Sequence, residues 1–494
     1  MCEQFKSSVS FLAKSGSVSR VLSSGRARGG KMKPKVWTDS GNGLHAALNK
    51  LDVILLTFGA MLGWGWVILT GEWILSAGAF GAAAAFVLGG IFVSFVSLVY
   101  AELSSAMPNS LGVIGFCRRA FGTRISFLCG WAVILTFLSV ISFETVAFPN
   151  VFAYLFPDIL SGYLYSAAGF EIHAPWLLIG VGSSLLICAV NYRGVRTAAL
   201  LQTVLMAVIL LAGILLAGGT VVNGKPENLF PLFSNGPHGV LTVVVMTPFI
   251  YSGFDVIPHA AEEMNIPPRK IGQLLVLSVG LAVIWYVSII LCVSCTLSRQ
   301  QIASSALPTA DAMAAAFGGN TAASRLLVAG GVAGIVTCWN AFYIGASRTV
   351  YAMSREGLLP AWFGKIHPKY RTPSRAILLI MVLTTAAPFF GATVLKWAAN
   401  AGSFATVVTY LLVSVSYLRL RRREPDMPRP YSAARWRLAG GGSLLLSAVM
   451  LAAYLPGSPA SLSWPYEWVI VGGWAVLGLL FYLSSPRRKA SRPR

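Results

Sequence analysis

The chain has 494 residues, 56% hydrophobic and only 11% charged, with a mean hydropathy of +0.70. A water-soluble domain cannot cover that much apolar surface, so the composition excludes one and points to a polytopic membrane protein. The formal net charge of +21 would suggest nucleic acid only if it were clustered, and it is not.

Residues 1–50 read as a disordered basic tail, rich in Ser, Gly and Arg near its start. A transit peptide shares that acid-poor composition, and a natural start at Met32 is a further alternative. Twelve apolar spans follow, at 51–78, 81–106, 126–156, 175–191, 198–222, 238–263, 272–298, 325–353, 376–391, 394–418, 438–455 and 465–484. They fall into a first group of five (51–222), a second group of five (238–418), a basic loop (419–437), two additional spans (438–484) and a basic tail (485–494). All of the 38 Lys and Arg residues except Lys225, Arg299, Arg325 and Lys396 then lie on the side of the N-terminus. The positive-inside rule places both termini in the cytoplasm and accounts for the excess charge without nucleic acid.

Span 1 contains FGAMLGWGWVILTGE, residues 58–72, with Gly63 and Gly65 flanking Trp64. Each glycine weakens a helix by roughly 1 kcal/mol against alanine. Free backbone groups are tolerated in a membrane only beside a cavity or other protein, so the stretch predicts a broken helix. Close helix packing is the plainer explanation of the glycines. Span 6 contains TPFIYSGFDVIPHAAEE, where Pro248, Pro258 and Gly253 predict a second break. Each broken span opens a group of five, and five is odd, so the two cross in opposite directions. Paired broken helices at matching positions of inverted halves point to a transporter site near the midplane.

After span 2, MPNSLGVIGFCRRAFG predicts a short interfacial helix with Arg118, Arg119 and Arg124 facing lipid headgroups. The connections 157–174 and 298–324 are the main loops on the opposite side. Seven cysteines lie mostly in apolar runs, and the Cys292/Cys295 pair has no partner pair or histidine, so they read as small packing residues. Trp464, Tyr466 and Trp468 read as interfacial anchors.

Several motifs together resemble the amino acid–polyamine–organocation superfamily across nearly all of the spans. They are GAMLGWGWVILTGE, YAELSSAMPNSLG, RRAFG, NYRGVR, YSGFDVIPHAAEEMNIPPRKIG and SRTVYAMSREGLLPAWFGKIHPKYRTPSRA, in that order. The resemblance implies an all-α polytopic membrane protein with twelve transmembrane helices. These form a leucine-transporter-type 5+5 inverted repeat plus two C-terminal helices, with spans 1 and 6 broken. It implies a secondary active transporter of amino acids or related amines. Carried over, Ala60, Met61, Gly63, Trp64 and Gly65 would offer amides to a substrate carboxylate. Phe249, Ile250, Tyr251, Ser252 and Gly253 would offer carbonyls and a gating aromatic to its amino group, with Asp255 beside them. Trp64 and Trp66 depart from the family, which usually has a small residue there. Such indoles leave less room or form a wall of the pocket. Leu111, Gly112 and Ile114 also depart, with no physical reading attached.

Acids within spans need a reason, because a charge at mid-bilayer costs about 2.5–3.5 kcal/mol on insertion scales. Asp52, Glu262 and Glu263 read as a solvated face, and Glu102 as a carboxylate accepting from amides of the following loop. Glu72, Glu144 and Asp255 have no Lys or Arg at comparable depth. They are protonated structural acids, contacts for a cationic substrate, or proton carriers. His259, four residues after Asp255, shares its helix face; a packed histidine is favoured over a relay. Thr337 and Asn340 line the site or bond across helices. Span 5 has no Lys or Arg, and the position where some proton-driven relatives carry a lysine falls at about Ile209. A sodium ion near Thr337 or a titrating carboxylate would supply coupling, and protons are favoured over sodium.

The expectation is thus a permease of the cell membrane, working by alternating access in symport or antiport on a small-molecule substrate. No catalytic residues, metal or other cofactor, and no nucleic-acid partner, are expected. The alternatives are a polyamine or cationic amine carrier, and a substrate-sensing receptor on the same fold. An enzyme is disfavoured by the lack of any nucleophile–base or metal-spaced constellation in the loops.

Overall fold

Asn49 starts the first helix. Its side-chain oxygen accepts from the N–H of Leu51 (2.7 Å) and of Asp52 (3.1 Å), while Asp52 Oδ2 accepts from Asn49 N–H (2.9 Å). The two close a capping box, so the half-buried Asp52 also serves as a cap. The computed structural model describes residues 44, 47–109, 111–156, 160–458 and 461–484. The tail read over 485–494, and that over 1–50 up to Gly43, lie outside the described residues.

The first apolar run is three helices, α1 (Lys50–Ala60), α2 (Gly65–Ile68) and α3 (Thr70–Ala77). Gly78 (φ +82°) then turns the chain, and a side chain there would come within 2.7 Å of Leu232 O. There follow α4 (Ala79–Ala106), α5 (Gly112–Phe121), α6 (Thr123–Leu155), α7 (Ala174–Arg193) and α8 (Val195–Asn223). The second half runs α9 (Gly236–Ile250), a 3-10 helix at Phe254–Glu263, α10 (Pro268–Thr296), α11 (Arg299–Ser304), α12 (Pro308–Ala316) and α13 (Thr321–Arg355). It ends with α14 (Ser374–Thr385), α15 (Thr393–Arg423), α16 (Trp436–Ala453) and α17 (Tyr466–Ser484). Among the described residues, ten helical segments are long and apolar enough to cross a membrane, counting Gly236–Glu263 as one. The broken α1–α3 segment and the shorter apolar Ser374–Phe390 add to these. The molecule is a multi-pass integral membrane protein.

Two connections read as loops carry secondary structure among the described residues. The first carries an antiparallel hairpin, β1 (Tyr163–Ala167) with β2 (Phe170–His173). The second carries α11 and α12. Ser298 and Gln301 form a capping box at the start of α11, and Pro308 opens α12.

The arginine-rich end is held by ion pairs that local sequence does not reveal. Glu263, expected on a solvated face, is buried and bonded twice by Arg348 of α13, Nε to Oε2 at 2.7 Å and Nη2 to Oε1 at 2.8 Å. Glu262 is half-buried. Glu102 at the end of α4 is also fully buried. It accepts from Arg421 Nη2 (2.6 Å), Tyr417 Oη (3.1 Å) and Ala433 N–H (2.9 Å), and Arg429 Nε lies 3.1 Å from its other oxygen. Its partners thus come from α15 and the 419–437 loop, not from the loop that follows α4. The apolar face of α5 packs into the protein, while Arg119 and Arg124 stay exposed. Val113, Ile114, Phe116 and Cys117 are fully buried. Arg118 pairs with Glu356, and Arg119 Nε donates to Glu424 Oε2 at 2.9 Å. That bond holds the Glu424 carboxyl below the usual carboxylate range.

The most enclosed helices are α6 and α13, and Arg348 lies in the latter. Replacing it with alanine would leave Glu263 as a buried unpaired charge, at a cost of about 3–5 kcal/mol. Arg348→Ala should lower the thermal unfolding midpoint of the purified protein sharply. The double variant Arg348→Met/Glu263→Leu should recover most of the loss.

Candidate functional site

The break in the first span lies between Ala60 and Gly65, where the chain turns through Met61, Leu62, Gly63 and Trp64. Side chains of four other helices bond to its carbonyls. Gln202 Nε2 of α8 donates to Leu55 O (3.3 Å), and Thr337 Oγ1 of α13 donates to Gly59 O (3.3 Å). Tyr286 Oη of α10 donates to Met61 O (2.7 Å), and Thr309 Oγ1 of α12 donates to Trp66 O (2.9 Å).

The second break follows Ile250. Gly253 sits at φ +133°, a conformation reserved for glycine, and there the two breaks touch: a Cβ on Gly253 would lie 2.8 Å from the carbonyl carbon of Ala60. Beyond it the chain tightens into the 3-10 helix. Asp255 caps this turn, its Oδ1 accepting from Gly253 N–H at 3.1 Å.

Between the breaks lies a cavity with room for small spheres over about 60 Å³. Ala60, Met61, Gly63, Trp64 and Gly65 line one side, and Phe249, Ile250 and Ser252 another. Glu144 of α6 also lines it, with its Oε1 so close to the break that a Cβ on Gly63 would come within 2.7 Å. Glu144 Oε2 and Ser252 Oγ are buried without a hydrogen-bond partner. Glu144 is the one charged side chain among the lining residues. Val140 and Phe143 of α6, Tyr286, Leu69, Cys338 and Phe342 complete the wall. Sequence reasoning missed these six. For Val140 a signal existed, since it lies one helical turn before Glu144 and shares its face.

Several candidates lie elsewhere. Tyr251 turns away to donate to Phe86 O (3.0 Å), edge-on to the rings of Phe86 and Tyr286. Gly253 and Asp255 are behind the break and do not line the cavity. Glu72 is on the exposed side of α3. His259 and Asp255 do not form a pair along an α-helix, because the segment is a 3-10 helix. His259 Nδ1 instead meets Thr349 Oγ1 at 3.0 Å. Since Thr349 donates to Gly345 O (2.8 Å), its oxygen accepts, which places the proton on Nδ1. Thr337 and Asn340 also stand off the cavity. Asn340 Nδ2 donates to Gln202 Oε1 (3.0 Å) and Ala198 O (3.1 Å), and its oxygen accepts from Asn191 Nδ2 (3.0 Å). Ile209 is a buried apolar residue of α8.

Two helix breaks in contact enclose a small cavity lined by Glu144 and Ser252, each with a buried polar atom that has no hydrogen-bond partner. The family profile described as amino acid permease matches residues 48–477. The chain belongs to the amino acid permease family. This permease is 26% identical over 461 residues to the branched-chain amino acid permease BcaP of Bacillus subtilis (strain 168), covering 91% of this chain and 95% of that one. It is 25% identical over 393 residues to the vacuolar cationic amino acid transporter 8 of Arabidopsis thaliana, covering 79% and 65%. It is 25% identical over 424 residues to the aspartate-proton symporter of Bacillus subtilis (strain 168), covering 82% and 78%. The family is one of transporters, so the permease is a carrier of small molecules and not an enzyme.

Two glycines of this permease should respond differently to a methyl group. At Gly253 an alanine meets both a strained backbone, worth about 1–3 kcal/mol, and the Ala60 carbonyl. At Gly65 the nearest atoms are Ile250 Cδ1 at 3.4 Å and Leu69 Cδ1 at 3.7 Å, ordinary contacts. Gly253→Ala should lower the thermal midpoint, whereas Gly65→Ala should keep it and reduce ligand affinity. Differential scanning fluorimetry with equilibrium binding separates the two.

Proposed function

We propose that this permease is a secondary active transporter that moves amino acids across the cell membrane by alternating access, coupled to protons. The carrying observation is Glu144, a buried carboxylate at the edge of the first break with an unpartnered oxygen and no basic side chain beside it in the cavity. A buried charge without a partner is costly, so a proton or a solute ammonium must cancel it. A solute carboxylate on the free amides near Gly63 would lie close to Glu144. It would bind best when that group carries a proton, which links binding to proton uptake. One relative is an aspartate-proton symporter by name.

The proposed architecture is twelve crossings in a 5+5 inverted repeat plus two. Its support is that the broken segments lead each half, that α4 packs on α10 and that α6 packs on α13, which pairs equivalent members of the halves. Both termini are assigned to the cytoplasm. Cysteines introduced at exposed Asp426 and His238 in a Cys-free variant should then differ. Impermeant thiol reagents added outside cells should label the second and spare the first, and the reverse pattern refutes the orientation.

A second reading, a cationic amine or polyamine carrier, is favoured by the same lone carboxylate. Uptake into proteoliposomes from a labelled panel, with a pH gradient or a sodium gradient imposed singly, tests the primary reading. Stimulation by the pH gradient alone is expected, and stimulation by sodium alone refutes proton coupling. Glu144→Gln should abolish the pH-driven component while leaving zwitterion affinity within about threefold. A polyamine bound by the parent and lost in Glu144→Gln would establish the second reading. Binding without any uptake would identify a sensor.

A further inference from the structure

The two indoles around Gly65 occupy different environments. Trp66 is fully buried behind the break, edge-on to Trp285 with ring centroids 5.4 Å apart, and it does not line the cavity. Trp64 does line it. The benzo edge of Trp64 is seated on α13 at Gly331. A Cβ there would overlap its Cζ3, approach Cε3 within 3.0 Å and meet Val67 Cγ2 at 2.8 Å. One turn along the same face, Gly334 makes room for the Leu62 carbonyl, which a Cβ would approach to 2.5 Å. The bare backbone of α13 therefore lets the indole withdraw against the helix, and the ring remains as a wall of the cavity.

That wall leaves little space. A cavity of about 60 Å³ is small. The ammonium, α-carbon and carboxylate common to every amino acid take much of such a space, which favours a short side chain over a long one. Across the cavity Phe143 meets Phe249 edge-on with ring centroids 6.4 Å apart, so aromatic rings stand on that side as well.

We propose that Trp64, seated on Gly331, sets the side-chain size limit of the site, and that the permease takes amino acids the size of glycine, alanine or serine. This rests on the amino acid reading above. In an apolar pocket each added or missing methylene changes discrimination by about 10–200-fold. Trp64 is a specificity-determining residue on this account, and Gly331 positions it.

The test is equilibrium binding of glycine, alanine, valine, leucine and phenylalanine to the purified full-length protein. The parent should prefer glycine and alanine. Trp64→Ala removes the wall and should raise the leucine-to-alanine affinity ratio about tenfold or more. Gly331→Ala displaces the rigid ring toward the cavity and should weaken alanine about tenfold more than glycine. Trp64→Phe should be intermediate, and if Trp64→Ala does not fold, Gly331→Ala and Trp64→Phe carry the test. An unchanged rank order in the folded variants overturns the proposal, as does a parent that prefers leucine or phenylalanine. A parent that binds none of the amino acids defeats the amino acid reading itself, which is a different outcome.

Discussion

Lipid offers no hydrogen bonds, so every backbone group released by a helix break must find a partner inside the protein or face a cavity. This constraint shapes much of the molecule. Leu55, Gly59, Met61 and Trp66 present carbonyls along the first span, and Gln202, Thr337, Tyr286 and Thr309 answer them from four different helices. Each bond contributes only about 0.5–1.5 kcal/mol net, but each unmet group would cost about 1–3 kcal/mol. Met61 lies within the break itself, while Gly59 O also accepts from Leu62 N–H at 3.2 Å and Trp66 O from Thr70 Oγ1 at 2.7 Å, so the four side chains brace the break from several helices at once. Among the buried polar atoms without a partner, Glu144 Oε2 and Ser252 Oγ are the ones whose residues line the cavity.

Close approach is the second requirement, and α13 meets it with absent side chains. Gly331 and Gly334 lie against Trp64 and the Leu62 carbonyl of the first span, and Gly330 lies against Ala212 of α8. In a membrane such approach is driven by packing rather than by expulsion of water, so shape complementarity has to be high. Bulky indoles in span 1 and glycines in α13 are two halves of one fit. The sequence shows both, but nothing local in it indicates that they meet.

What the sequence made legible follows the same division. Hydropathy marked the spans, and glycine and proline marked where two helices fail, because both act through the local backbone. Partners across the fold were another matter. Arg348 counted as one more basic residue near the arginine-rich end, yet it pairs with Glu263, 85 residues earlier. Glu102 finds Arg421, 319 residues away. Tyr251 was placed in the site by resemblance, but its hydroxyl is drawn to Phe86 O on α4. A different kind of miss is α11, whose start was readable: Ser298 and Gln301 have capping-box spacing, in a stretch too short and polar to register as a span.

The placement of charge bears on how such a fold could move. On the alternating-access reading, opening the arginine-rich end must separate the chain around Glu263 from α13. Several contacts converge there. Arg348 grips the Glu263 carboxylate, the Glu263 backbone carbonyl accepts from the N–H groups of Ala47 and Leu48, and Asn265 N–H donates to Leu48 O. An apolar latch of the same size would resist opening by the full loss of its buried area. A buried ion pair behaves differently, because its Coulomb attraction is nearly offset by the desolvation of both ions, and water entering the gap returns that desolvation. Removing one partner is costly, whereas separating both into water is not. The Glu263–Arg348 pair can therefore hold the closed state in register and still release it, which a purely hydrophobic seam at the same place would do less readily.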